Sequence, residues 1–345
     1  MTASHGVRLE ATERHLVFAS GGTRAFLNGA GAIFAFHLAG LNNWASVGGV
    51  SGGSIPALLL AAGIAPHDIV RAAVYTNFSE LFEQTDSMKN MIRSRSVPRS
   101  QRQKYREGIF RSGEFGQRME EVADNWPEKF WTMAVCGNRQ LLFTAAGVHL
   151  YKRDRSRLIR KTAPPVGLAM RATCAVPGII EAVEYDSRIL FDGALSHYGD
   201  CPTDLVVRHF GAKAAAVVAV DLMRDRTCFN KFVEMVGRLL SGTLRERKDE
   251  KKLVRAGLTV STFMDNFNSL DFNISVERKQ QAVLVAFQTT CQELLAADLL
   301  SEDLFVELLE SSQSWGSFEK LMGGCTEDGI VQVPRHRRWY QLWHR

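Results

Sequence analysis

One serine in this chain is fenced by glycines, in Gly49-Val50-Ser51-Gly52-Gly53. The Gly-x-Ser-x-Gly spacing is that of a serine nucleophile raised on a sharp turn between a strand and a helix. Glycines are needed because side chains around so tight a turn would clash. The serine oxygen is then lifted clear of the sheet. The amides at the start of the following helix point at the spot where negative charge develops during acyl transfer. A hydroxyl is a weak nucleophile until a base takes its proton. The chemistry therefore asks for two more parts: donors for an oxyanion and a base.

The donors have a candidate in Ser20-Gly21-Gly22-Thr23-Arg24-Ala25, small residues between an apolar strand and a helix-like stretch. Such a loop lets backbone amides converge on an anion. It has neither GxxxxGK[ST] nor GxGxxG, which argues against a nucleotide site. For the base, Asp192 closes the stretch Arg188-Ile189-Leu190-Phe191, whose last three residues give it an apolar approach. A carboxylate becomes a useful base only when desolvated and held against the hydroxyl. Asp192-Gly193 is also a common turn dipeptide. His197 and His209 follow Asp192 and are the rival bases, because a hydrolase triad runs serine, acid, histidine.

These residues need elements to hold them. His15 to Ala19, Ala45 to Val50, Ser187 to Phe191 and Ala214 to Leu222, apolar but for Asp221 and patterned like a central parallel strand, read as strands. Met133 to Ala145 and His149 to Lys152 read as further sheet pieces. Phe26 to Gly40, Ile55 to Ala62, Val276 to Leu299 and Glu302 to Leu309 read as helices, and from Phe229 onward the pattern turns helical and charged. Strands alternating with helices predict a mainly parallel α/β core with helices on both faces.

Ser20-Gly21-Gly22-Thr23-Arg24, Gly49-Val50-Ser51-Gly52-Gly53 and Asp192-Gly193-Ala194, taken in order, resemble the patatin-like phospholipases over roughly residues 14–298. The segment Ala172-Thr173-Cys174-Ala175-Val176-Pro177 fits that pattern too. The resemblance implies a three-layer α/β/α fold with a mainly parallel central sheet, plus C-terminal helices. It implies a Ser–Asp dyad of Ser51 and Asp192. It also implies an oxyanion hole from Gly21, Gly22, Thr23 and Gly52, and acyl-ester hydrolysis with no metal and no cofactor. Arg24 would neutralise a lipid phosphate, or pair with an acid at the helix start. The chain departs from the family pattern at Ser20 and Ala25, each usually glycine, and at Asp200-Cys201-Pro202, where Asn-Asn-Pro is common. The expected substrate is a phospholipid or lysophospholipid. The alternatives are a neutral-lipid esterase on the same dyad and a catalytically silent lipid-binding protein.

The chain has 345 residues, 46% hydrophobic and 23% charged, with a net charge of +5. Three basic stretches, at 89–111, 152–161 and 335–345, could face anionic headgroups, with Trp339, Tyr340 and Trp343 at the interface. They read equally as solvated faces. With no zinc-finger spacing or stacking motif, nucleic acid is not an expected partner. Six cysteines without a CxxC pair suggest free thiols in a reducing compartment. No apolar leader segment is visible, and the longest apolar run, from Ile55 to Ala65, is short of the ~20 residues a membrane span needs. The expectation is a cytoplasmic protein, peripheral to a phospholipid membrane surface. The expected division is a 1–13 extension, a 14–298 catalytic domain and a 299–345 helical, basic-aromatic tail.

Overall fold

The computed structural model describes residues 13–85, 108–152, 155–223, 256–264 and 269–324. Ten strands form one sheet. In chain order they are β1 (His15–Phe18), β2 (Ser46–Gly49), β3 (Phe130–Cys136), β4 (Arg139–Thr144) and β5 (Gly147–Lys152). β6 (Arg155–Arg160), β7 (Val183–Tyr185), β8 (Arg188–Asp192), β9 (Val217–Leu222) and β10 (Leu258–Thr262) follow. Among the described residues the helices of eight or more residues are α1 (Thr23–Leu38), α2 (Ser54–Ala61), α3 (Pro66–Tyr75), α4 (Gly113–Val122), α5 (Val166–Thr173), α6 (Thr203–Phe210), α7 (Val276–Ala296), α8 (Glu302–Ser311) and α9 (Trp315–Gly324).

The central sheet runs β10-β9-β1-β2-β3, with every neighbouring pair parallel. From β3 it continues antiparallel through β4, β5 and β6. The parallel strands read as continuous apolar runs because helices cover both faces. All four residues of β1 are buried, as are the first four of β9. The antiparallel extension ends on β6, whose sequence RSRLIR puts cations on the edge, a composition that discourages pairing with another chain.

β3 decides where the functional residues meet. β4 occupies one edge of it. Its other edge is shared by two strands that approach from opposite ends. β2 runs parallel and finishes with Gly49 opposite Thr132. β8 runs antiparallel and finishes with Asp192 opposite Ala134. The two strand ends are thus roughly 7 Å apart along β3, given the rise of a strand. The Ser51 turn leaves from one end and Asp192 sits on the other. The Thr132 hydroxyl donates to the Gly49 carbonyl at 2.9 Å and fixes the end of β2.

Several expectations need correction. Residues 133–145 are not one sheet piece but parts of two antiparallel strands that turn at Gly137-Asn138. Leu258–Thr262 is a strand inside the region expected to be helical. Its five residues are too few to outweigh the charged sequence before it. Ser46–Gly49 and Thr23–Leu38 fall within a few residues of their expected bounds.

α1 is buried almost throughout and packs between the sheet and α7. The core is continuous across residue 298. Phe318 and Met322 of α9 and Leu308 of α8 are buried with α1 and α7. The Phe318 ring lies 5.4 Å from Phe34 and 4.9 Å from Phe287, edge-on to both. Phe318→Ala should therefore destabilise the whole fold by ~3–5 kcal/mol. Denaturant unfolding followed by tryptophan fluorescence measures this. A cost under ~1 kcal/mol would mean α9 is not part of the core.

Candidate active site

Ser51 follows β2 and opens a tight turn, Ser51–Gly53, that runs into α2. Its backbone is left-handed, with φ at 53°. A residue with a side chain adopts that conformation at a cost of ~1–2 kcal/mol, so neighbouring contacts must hold it. Two do. The Ser51 amide donates to Thr173 Oγ1 at 3.0 Å, and the Ser54 hydroxyl donates to the Ser51 carbonyl at 2.5 Å.

The Ser51 hydroxyl donates to Asp192 Oδ2 at 2.7 Å. Asp192 is held in its turn. Its Oδ1 accepts the Ala194 amide at 2.9 Å, and its own amide donates to the Ala175 carbonyl at 2.9 Å. Ser51 is 7% exposed and Asp192 3%. Burial pushes the Asp192 pKa up to about 7, and the charge of Asp200 adds to the rise. The hydrogen bonds from Ser51 and Ala194 work the other way, since they favour the carboxylate. A carboxylate of this basicity can accept a serine proton during attack, as one near its ordinary value cannot.

The glycine loop lies directly against the serine turn. A Cβ on Gly52 would sit 2.0 Å from the Gly22 carbonyl oxygen, so this contact requires glycine. Gly22 itself has φ 58° and ψ −136°, a backbone closed to other residues. Among the described residues the Gly21, Gly22 and Gly52 amides have no protein acceptor. The Thr23 amide does: it donates to the Ser269 carbonyl at 3.0 Å. Three of the four expected oxyanion donors are thus open in this conformation and one is engaged. The Ser20 amide donates to the Asp200 carbonyl at 2.8 Å, tying this loop to the one that follows Asp192.

Arg24 follows Thr23 at the start of α1. It is buried, and its guanidinium donates to Ser269 Oγ at 2.6 and 3.1 Å. Neither rival histidine is hydrogen-bonded to Ser51 or Asp192 among the described residues. The His197 ring lies against that of Tyr198, tilted by 34° with ring centres 4.0 Å apart. His209 shares a 2.6 Å hydrogen bond with the Tyr151 hydroxyl on α6 and β5. Burial, helped by His149, pushes its pKa down to about 4.

Sequence reasoning missed Thr173, Ser54 and the Ala175 carbonyl as parts of this site. Only the match of residues 172–177 to a family pattern marked the region. The basic stretches at 89–111 and 335–345, with Trp339, Tyr340 and Trp343, lie outside the described residues except for 108–111. Among the described residues no helix is long and apolar enough to cross a membrane, and no group of three or more candidate ligands could hold a metal ion.

The sequence profile of the patatin-like phospholipases matches residues 16–207, from β1 into α6. This chain belongs to the patatin-like phospholipase family. The matched span holds the glycine loop, the Ser51 turn, residues 172–177 and Asp192. Among solved structures, VipD from Legionella pneumophila is similar, with 13% identity and a TM-score of 0.49. The match covers 97% of this chain and 80% of that one. No curated protein matches the chain.

Asp192 makes stability depend on pH in an unusual direction. Its folded pKa lies above the unfolded value, so the folded state binds the extra proton. Its contribution to stability is full below about pH 3.8 and is lost as pH rises through about 7. Over that window the loss approaches ~4 kcal/mol, at 1.36 kcal/mol per pH unit. Asp192→Asn has no such term. Its stability relative to the native protein should climb between pH 5 and pH 8, read by chemical unfolding at each pH. A constant difference would mean that Asp192 ionises at its ordinary value.

Proposed function

We propose that this protein hydrolyses an acyl ester of a phospholipid or lysophospholipid through an acyl-Ser51 intermediate, with Asp192 as general base. The observation that carries the proposal is the 2.7 Å hydrogen bond from Ser51 Oγ to a buried carboxylate. Membership of the patatin-like phospholipase family supports the lipid ester as substrate class.

In the proposed reaction Ser51 Oγ attacks the ester carbonyl carbon and its proton passes to Asp192 Oδ2. The carbonyl oxygen becomes an oxyanion in reach of the Gly21, Gly22 and Gly52 amides. One such donor is worth ~2.7–4 kcal/mol in the transition state. The intermediate collapses, the C–O bond to the alcohol breaks, and Asp192 returns the proton to the leaving oxygen. Water then repeats the sequence on the acyl-serine, giving a fatty acid and free Ser51. The N-terminal end of α2 sits behind Ser51 and favours negative charge there. Because both dyad residues are nearly closed to solvent, the acyl chain of a lipid would displace little water on entry.

The enzyme would act at a phospholipid membrane surface, using the basic stretches for attraction to anionic headgroups. Incubation with mixed phospholipid and neutral-lipid vesicles, followed by mass spectrometry of released fatty acids and lysolipids, tests the substrate class. Ser51→Ala should abolish release. Asp192→Asn should lower turnover by about 10²–10⁴, and His197→Ala should stay close to the native rate. Release from triacylglycerol alone would replace the phospholipase reading by a neutral-lipid esterase. No release from any vesicle, with no acylation of Ser51, would favour a silent lipid-binding protein.

A further inference from the structure

One three-residue segment touches the backbones of both dyad residues. Thr173 is the last residue of α5, and its Oγ1 accepts the Ser51 amide at 3.0 Å. Two residues on, the Ala175 carbonyl accepts the Asp192 amide at 2.9 Å. Between them the Cys174 thiol meets the Ser54 hydroxyl, which itself donates to the Ser51 carbonyl. Thr173 is fully buried, so no water can take over its role. The Ser51 amide belongs to a left-handed residue that local backbone preference would not keep in place. Without an acceptor at Thr173 this buried amide loses its partner, and the turn gains by relaxing toward any geometry that satisfies it.

We propose that Thr173 is a positioning residue, whose hydroxyl oxygen holds the Ser51 backbone so that Ser51 Oγ stays within hydrogen-bond distance of Asp192. The inference rests on the dyad reading above, since it assigns a residue that acts through Ser51. It separates the chemistry of Thr173 from its bulk. A hydrogen-bond role requires an oxygen at Oγ1, whereas a packing role requires only the shape of a β-branched side chain.

The test compares Thr173→Ser, which keeps the oxygen, with Thr173→Val, which keeps the shape. On a soluble ester, Thr173→Val should lower kcat by roughly 10- to 100-fold, the scale for misplacing a reacting group. KM should change by less than about 3-fold, because substrate contacts are intact. Thr173→Ser should stay within about 3-fold of the native kcat. The acid limb of the pH–rate profile adds a readout that simple loosening of the fold would not move. The Ser51 hydrogen bond lowers the Asp192 pKa, so weakening it in Thr173→Val should shift that limb to higher pH. Should Thr173→Val fail to fold, Thr173→Cys keeps only a weak acceptor, and its kcat should fall below that of Thr173→Ser but by less than the loss expected for valine; a kcat equal to that of the serine variant would overturn the proposal.

Hydrogen exchange of the Ser51 amide reads the contact without any turnover, and it should speed up in Thr173→Val but not in Thr173→Ser. Native activity in the valine variant, or loss in the serine variant with retention in valine, would overturn the proposal. A native protein that hydrolyses nothing would overturn the dyad reading instead, and the exchange experiment would still report whether Thr173 holds Ser51. Unchanged exchange in Thr173→Val would overturn the proposal whatever the activity.

Discussion

Two strands end against the same edge of a third, and the site depends on that meeting. β2 runs along β3 from one end and β8 from the other, stopping opposite Thr132 and Ala134. Neither strand can slip by one residue without turning its side chains to the opposite face. The register therefore fixes where the Ser51 turn begins and where Asp192 projects. Gly193 packs on the Met133 carbonyl and against Val50, which closes the junction between the two strand ends. A hydrogen bond of 2.7 Å between residues 141 positions apart in sequence follows from this arrangement.

The chemistry is set up at a cost to stability. Ser51 occupies a strained backbone conformation, and Asp192 is kept out of water at a pKa of about 7. Both features raise the energy of the folded state, and in the proposed reaction both would serve acyl transfer. The strain would aim the hydroxyl, and desolvation would make the carboxylate basic enough to receive a proton without a histidine between them. The cost is borne by a continuous apolar core that spans α1, α2, α3, α7 and α9. Active sites are commonly less stable than their scaffold would allow, and this one has an identifiable source for each part of the deficit.

Much of the site was legible because its signals are local. Glycine on both sides of Ser51, a second small-residue loop before α1, and an aspartate closing an apolar strand can be read within a few residues. The meeting of β2 and β8 on β3 could not be read that way. It joins residues far apart in sequence, and nothing in RILFD distinguishes a strand antiparallel to β3 from a parallel one. Thr173 carries no local signal beyond a family pattern, because its role comes from the packing of α5 beside the Ser51 turn. Arg24 has a contact that no local pattern announces: beside an anion-binding loop it suggests a phosphate ligand, and in the fold its guanidinium also meets Ser269, 245 residues away in the chain. Leu258–Thr262 was hidden by composition, as a short edge strand between charged and polar segments.

The central claim is that Asp192 itself, not a histidine, takes the proton from Ser51. The most direct measurement is the rate at which a fluorophosphonate phosphonylates the Ser51 hydroxyl, with loss of fluoride, as pH is varied, in the native protein and in Asp192→Asn. The native rate should rise about tenfold per pH unit below neutrality. It should level off above about 7, where Asp192 is ionised. In Asp192→Asn the rate should be slow and should lack that inflection. An inflection near neutral pH that persists in Asp192→Asn and disappears in His197→Ala would contradict the account.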